Sequence, residues 1–156
     1  MSIFENEVAS RVKNNSKNKK LKKSAFNFLK ESYLDKYSYN YSFFGRPIIQ
    51  YPEDIVSVQE LIFKVKPDLI IETGIAHGGS IVLSAGMMIL LNSFEPKKRL
   101  VLGVDIDIRK HNLTKIKKHP FYKKIKLIEG DSTKLSTYLK IKKISKQYKK
   151  ILVFLD

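Results

Sequence analysis

Apolar and polar positions divide the chain into two unlike parts. Residues 1–37 are polar and rich in Lys and Asn, with apolar positions at Phe26, Leu29 and Leu34. That pattern predicts a helical, partly frayed extension. Further on, continuous apolar runs alternate with apolar positions at helical spacing. The runs Leu69 to Thr73, Leu100 to Asp105, Ile125 to Glu129 and Ile151 to Leu155 predict buried strands. Ile55, Val58, Leu61, Ile62 and Val65 follow helical spacing behind Pro52-Glu53-Asp54, whose acids suit the positive end of a helix dipole, and Pro67 ends that helix. Further helices are predicted from about Ser80 to Leu91, from Arg109 to Lys118 before His119-Pro120, and from Lys134 to Tyr148. Residues 37–51 carry Tyr37, Tyr39, Tyr41, Phe43, Phe44 and Tyr51, broken by Gly45 and Pro47. They read as a loop packed on the core, or more sharply as a wall or lid beside a pocket.

Strands alternating with helices predict an α/β fold: a Rossmann-like, doubly wound parallel sheet with helices on both faces. Its ligand crevice is expected at the switch point beside the strand Leu69 to Thr73. The chain divides into a Lys/Asn-rich extension, residues 1–41, and an α/β domain, residues 42–156. Ile151 to Leu155 reads as a central strand, and Asp156 follows it directly. The expectation is therefore a fragment, or the front half of a larger domain, with an exposed apolar edge.

The candidate chemistry gathers where strands end. In Asp68-Leu69-Ile70-Ile71-Glu72-Thr73-Gly74-Ile75-Ala76-His77-Gly78-Gly79-Ser80, an apolar run reaches a carboxylate and passes through glycines into the next helix. Glycines let backbone approach a ligand, and the new helix offers free N–H groups to an anionic group. No Gly-Lys-Ser/Thr follows, so this is not a P-loop. Glu72, Asp105, Asp131 and Asp156 all follow strands. Any one of them reads as a cap or turn, but four in register point to a site that binds hydroxyls or a metal. Asp105, after the second strand, is placed to accept bonds from both hydroxyls of a ribose. His77 reads as a general base or a ligand, or as a loop residue whose ring closes over a cofactor or packs locally. His111 and His119 read as surface residues.

Composition narrows the partners. The chain has 156 residues, no cysteine and a net charge of +15. Without cysteine it forms neither disulfides nor thiolate metal sites, which suits the cytoplasm. No secretory signal or bilayer-length apolar run is visible. Most basic residues are Lys, scattered as well as clustered, as solvated helix faces and an A/T-rich coding sequence would give. Acidic substrates or partners are the second source of such a charge, and no recognised nucleic-acid motif is present.

Gly45-Arg46-Pro47-Ile48-Ile49-Gln50-Tyr51-Pro52-Glu53-Asp54, the stretch Lys66 to Ser80, Gly103-Val104-Asp105-Ile106-Asp107-Ile108-Arg109 and Leu127-Ile128-Glu129-Gly130-Asp131-Ser132 together resemble the cephalosporin hydroxylase / rhamnosyl O-methyltransferase family. The resemblance runs from about residue 42 to the end. It implies a class I S-adenosylmethionine-dependent methyltransferase fold, in which Glu72, Gly74, Gly78, Gly79 and Ser80 surround the methionine part of the cofactor. It also implies that Asp105 takes the ribose and that Asp131 and Ser132 lie near the adenine. Similarity to catechol-type O-methyltransferases implies a divalent cation such as Mg2+, with Asp156 as first ligand; the acidic pair that completes such a set is missing from this chain. The implied reaction is O-methylation of a sugar, glycolipid or secondary metabolite, and a homo-oligomer is compatible with it. A hydroxylase-type oxidoreductase, as the family's older name suggests, and an inactive cofactor-binding fragment are the alternatives. Iron held by two His and a carboxylate finds only His77, His111 and His119, at unsuitable spacing.

Overall fold

The computed structural model describes residues 2–155. They form two units, one ending at Ser38 and one beginning at Tyr39. The first unit holds α1 (Ile3–Lys17) and α2 (Lys19–Leu34). Each has its own start signal. Ser2 and Glu5 form a capping box, with the Glu5 N–H donating to Ser2 Oγ (3.2 Å) and the Ser2 N–H donating to Glu5 Oε2 (2.6 Å). Asn18 interrupts the run and caps α2 by accepting from the Leu21 N–H at 3.0 Å. The expected frayed extension is thus two capped helices.

The second unit opens with a short hairpin, β1 (Tyr41–Phe43) and β2 (Arg46–Ile48), paired antiparallel with Phe43 opposite Arg46. Phe44 (φ 44°) and Gly45 (φ 77°) make its two-residue turn in the left-handed region, the conformation that matches strand twist. The segment expected to be loop is therefore partly sheet. Three-residue strands leave too short an alternation to read, and Pro47 argues against a strand unless it lies at an edge. Then come α3 (Pro52–Val65), β3 (Leu69–Thr73), α4 (Gly79–Phe94), β4 (Leu100–Asp105), α5 (Lys110–Lys117), a 3-10 turn at Pro120–Lys124, β5 (Ile125–Glu129), α6 (Leu135–Ser145) and β6 (Ile151–Leu155).

The sheet order is β5-β4-β3-β6, all parallel. From β3 the chain steps outward to β4 and β5, then returns on the far side of β3. That reversal opens a crevice beyond the carboxyl ends of β3 and β6. Ile70, Val101 and Ile125 pack on one face with Ile62 of α3, Ile81 and Val82 of α4 and Ile116 of α5. Leu69, Ile71, Leu102, Val104 and Ile128 pack on the other with Ile144 of α6. The doubly wound α/β architecture expected from the alternation is the one observed. The first turns of helix α4 are apolar nearly all round because they are enclosed: Ile81, Val82, Leu83, Ala85 and Met88 are all buried, whereas Leu90 and Phe94 toward its end are exposed.

Strand β6 pairs with β3 alone among the described residues. Leu152 and Phe154 pack into the first core, whereas Ile151, Val153 and Leu155 stay exposed on the opposite side. In this sheet β6 is an edge strand bearing a central strand's composition. No described helix is long and apolar enough to cross a membrane.

Candidate cofactor crevice

The turn from β3 to α4 is held from three sides. From the sheet, Asp105 at the end of β4 accepts the Ile75 N–H at 2.7 Å and the Ala76 N–H at 3.3 Å on Oδ2, and the Asp107 N–H at 3.1 Å on Oδ1. From α5, Asn112 Nδ2 donates to the Ala76 carbonyl at 2.9 Å, and Ala76 itself lies at φ 45°. From the hairpin, Arg46 Nε donates to the His77 carbonyl at 3.0 Å, its Nη2 donates to the same oxygen, and Nη2 also reaches Asn112 Oδ1 at 3.1 Å. Arg46 is 5% exposed, and burial pulls its guanidinium below the ordinary value. An arginine stays cationic even so, and its planar fork serves a carbonyl and an amide at once.

Two glycines of the turn serve packing. A Cβ on Gly79 would lie 2.2 Å from the Pro47 carbonyl oxygen and 2.7 Å from the Ile48 Cα, so α4 and the hairpin touch backbone to backbone. Gly78, the N-cap of α4, sits at φ 86°, and a Cβ there would meet Ile116 Cδ1 at 2.5 Å. The physical reason expected for these glycines, approach of a ligand, is therefore supplemented by approach of the protein to itself.

Three clefts follow the carboxyl edge of the sheet. The first, about 260 Å3, is lined by Thr73, Gly74, Asp105, Gly130, Asp131 and Ser132. The second, about 270 Å3, lies between the turn, with Gly74, His77, Gly79 and Ser80, and the hairpin side, with Pro47 to Gln50 and Tyr39. The third, about 200 Å3, holds Glu72, Ser80, Ser84 and Gln50 against Val58, Leu83 and Phe154. Gly74 lines the first and second; Ser80 and Gln50 line the second and third. Eight of the nine residues expected to bind cofactor thus line one interrupted crevice; the ninth, Gly78, lies buried behind the turn.

The local chemistry of these residues is specific. Glu72 is 4% exposed and accepts a short hydrogen bond from Ser80 Oγ at the start of α4. Asp131 Oδ1 accepts from Thr133, from its hydroxyl at 2.7 Å and its N–H at 2.9 Å, and these bonds hold the carboxyl below the usual carboxylate range. His77 lines the second cleft half-buried. His119 does more than decorate a surface: Nδ1 accepts the Phe121 N–H at 3.1 Å and Nε2 lies 3.1 Å from the Phe44 carbonyl, tying the hairpin turn to the 3-10 segment. His111 is exposed. Asp156 lies outside the described residues, and among the described residues no three His, Asp or Glu side chains are grouped to hold a metal ion.

Arg46, Asn112 and Gln50 stand out only in three dimensions. Asn112 lies in a Lys-rich helix with no motif around it, and the segment holding Arg46 and Gln50, although part of the stretch that carries the family resemblance, gives neither residue a role from sequence.

The rhamnosyl O-methyltransferase/CmcI family profile matches residues 35–156. No curated protein sequence matches the chain. Among solved structures, a CmcI apo structure is 20% identical with a TM-score of 0.56, over 76% of this chain and 46% of that one. A CmcI structure with Mg and SAM is also 20% identical, with a TM-score of 0.50, over 65% of this chain and 40% of that one. At this identity the likeness is one of fold. The chain spans less than half the length of either.

Proposed function

Since the chain belongs to the rhamnosyl O-methyltransferase/CmcI family over residues 35–156, we propose that it binds S-adenosylmethionine and forms the cofactor half of an O-methyltransferase. The acceptor hydroxyl in this reading belongs to a sugar, glycolipid or secondary metabolite. One observation carries it: the three clefts run in the order an extended nucleoside–amino-acid cofactor requires, with ribose-competent acids at one end and a buried carboxylate at the other.

The residues present fit such a ligand. Asp105 uses its oxygens on three N–H groups, but a carboxylate has about four lone-pair directions, which leaves acceptor capacity toward a ribose in the first cleft. Asp131 and Ser132 lie on the same cleft, beside Gly130. Gly74, His77 and Ser80 line the middle, and Glu72 the far end. When bound, S-adenosylmethionine supplies an electrophilic methyl group that is displaced in line by an oxygen nucleophile. The chain's own contribution is alignment: a turn fixed by Asp105, Arg46 and Asn112 holds the cofactor in one pose, which is how positioning lowers a displacement barrier. A divalent cation has no ligand set among the described residues; its place in this reading rests on Asp156.

Titration calorimetry of the chain with S-adenosylmethionine is expected to show saturable binding, weakened at least about tenfold in Asp105→Ala, on the order of the loss of one charge-assisted hydrogen bond. Heat of dilution alone from the unmutated chain, or equal affinity in the two proteins, would refute the assignment.

A further inference from the structure

Helix α2 carries two stripes of opposite character. Leu21, Ala25, Phe28 and Leu29 follow the spacing of one apolar helix face. Leu21, Phe28 and Leu29 are each nearly half exposed, and Phe26 and Tyr33, on the flank of that face, are more exposed still. Lys19, Lys23 and Lys30 are spaced four and seven apart, which lines them along the other side. Lys22 falls seven residues before Leu29, on the apolar side, where its long stem carries the ammonium outward. From Arg11 to Lys30 the chain holds eight Lys and Arg and no Asp or Glu. Helix α1 repeats the apolar stripe more weakly, with Phe4, Val8 and Val12 four apart and all exposed. Among the described residues of the two helices only Ser32 is buried. Helices of this length draw most of their stability from packing an amphipathic face against something.

An apolar medium bounded by negative charge satisfies both stripes at once. We propose that α2 lies on an anionic lipid bilayer, with Leu21, Phe28 and Leu29 toward the acyl chains and the lysines among the headgroups. Charge complementarity selects this occupant. The apolar stripe alone would fit a groove of another protein, and the lysines alone would fit the phosphates of a nucleic acid. Leucine and phenylalanine on one side with lysine on the other is the composition of a helix seated in the plane of the interface. Phe26 and Tyr33 fall between the stripes, at the depth of the headgroup boundary, where aromatic rings with a polar edge are enriched. The helix lies on the bilayer, since no described helix is long and apolar enough to cross one. This inference concerns the helical unit and stands apart from the cofactor reading, so the failure of either leaves the other in place.

The test mixes the full chain with vesicles of equal parts phosphatidylcholine and phosphatidylglycerol, or of phosphatidylcholine alone, and separates bound protein by flotation. Binding to the anionic vesicles is expected to be at least about tenfold tighter, and to weaken as salt rises. The chain is basic throughout, so two triple variants separate the helix from the overall charge. Lys19→Gln/Lys23→Gln/Lys30→Gln is expected to bind at least about tenfold more weakly. Lys140→Gln/Lys143→Gln/Lys146→Gln, which removes the same charge from the α6 region, is expected to stay within about twofold of the unmutated chain. Leu21→Gln/Leu29→Gln is expected to lose about tenfold or more, because two apolar side chains no longer leave water. The chain has no Trp, so Leu29→Trp reports directly: its emission is expected to shift to the blue when anionic vesicles are added. Equal affinity for the two kinds of vesicle, equal weakening by the two lysine triples, or undiminished binding of Leu21→Gln/Leu29→Gln reduces the contact to unspecific adsorption and overturns the proposal. Leu29→Trp emission that turns blue with rising protein concentration in the absence of lipid would assign the stripe to a second copy. Tighter binding to duplex DNA than to the anionic vesicles would assign the lysines to nucleic acid. Either result overturns the membrane role.

Discussion

Gly79→Ala is expected to cost the α/β unit about 3 kcal/mol of stability, near the upper end of what overpacking costs, and to abolish measurable cofactor binding. Two opposed effects meet at this position. Alanine is the better helix former by about 1 kcal/mol, and Gly79 opens α4. Against that, the added methyl would stand 2.2 Å from the Pro47 carbonyl oxygen and within 2.7 Å of the Ile48 Cα. Backbone atoms of a paired strand cannot swing aside as a flexible side chain can, so the clash wins. Gly45→Ala is the control. It places a methyl in open space at φ 77°, for which left-handed strain predicts about 1 kcal/mol. Urea denaturation of the two variants decides the matter: if Gly79→Ala is no less stable than Gly45→Ala, the backbone contact is not what holds the turn.

Arg46→Met ranks second, with an expected loss of about 3 kcal/mol, since leaving buried acceptors without donors costs about 1–3 kcal/mol for each group. The guanidinium serves the His77 carbonyl and Asn112 Oδ1 from a position 5% exposed. Methionine keeps most of the volume and removes every donor. Arg46→Lys is expected to recover little, because one ammonium cannot reproduce a planar two-pronged contact. Hydrogen exchange gives the local readout: the amides of residues 75–78 should exchange faster in both variants, while those of β4 change only as global stability does. Full protection of the turn in Arg46→Lys would show that charge alone suffices.

The strands of the sheet are legible to the residue because each is a short, predominantly apolar run; β3 and β4, buried on both faces, have the near-continuous apolar composition that parallel strands so placed demand, while β5 carries Lys126 and β6 keeps that composition with one side exposed. The helices are legible by periodicity, with ends displaced by up to three residues where no strong cap marks them, as at the close of α4 and α6. The N-terminal helices are less so: few apolar positions recur in α1, and their boundaries rest on Ser2 and Asn18 instead. The β1–β2 hairpin escapes sequence reading because three residues cannot display a period of two.

For the crevice, the acids that follow strands could be picked out because strand ends share one edge in a parallel sheet. What the strand pattern does not disclose is how Asp105 divides its oxygens among backbone donors, or that a buried arginine from a hairpin completes the turn. Those arrangements join residues 30 and 31 positions apart, and no local pattern encodes them.

The Arg46–His77 contact has a bearing on how binding would unfold in time. A turn already shaped by its neighbours has little conformational freedom left to surrender, so capture of a small molecule there is set by diffusion and desolvation. Association should then show a single kinetic phase whose rate rises linearly with ligand concentration, with no plateau from a preceding rearrangement.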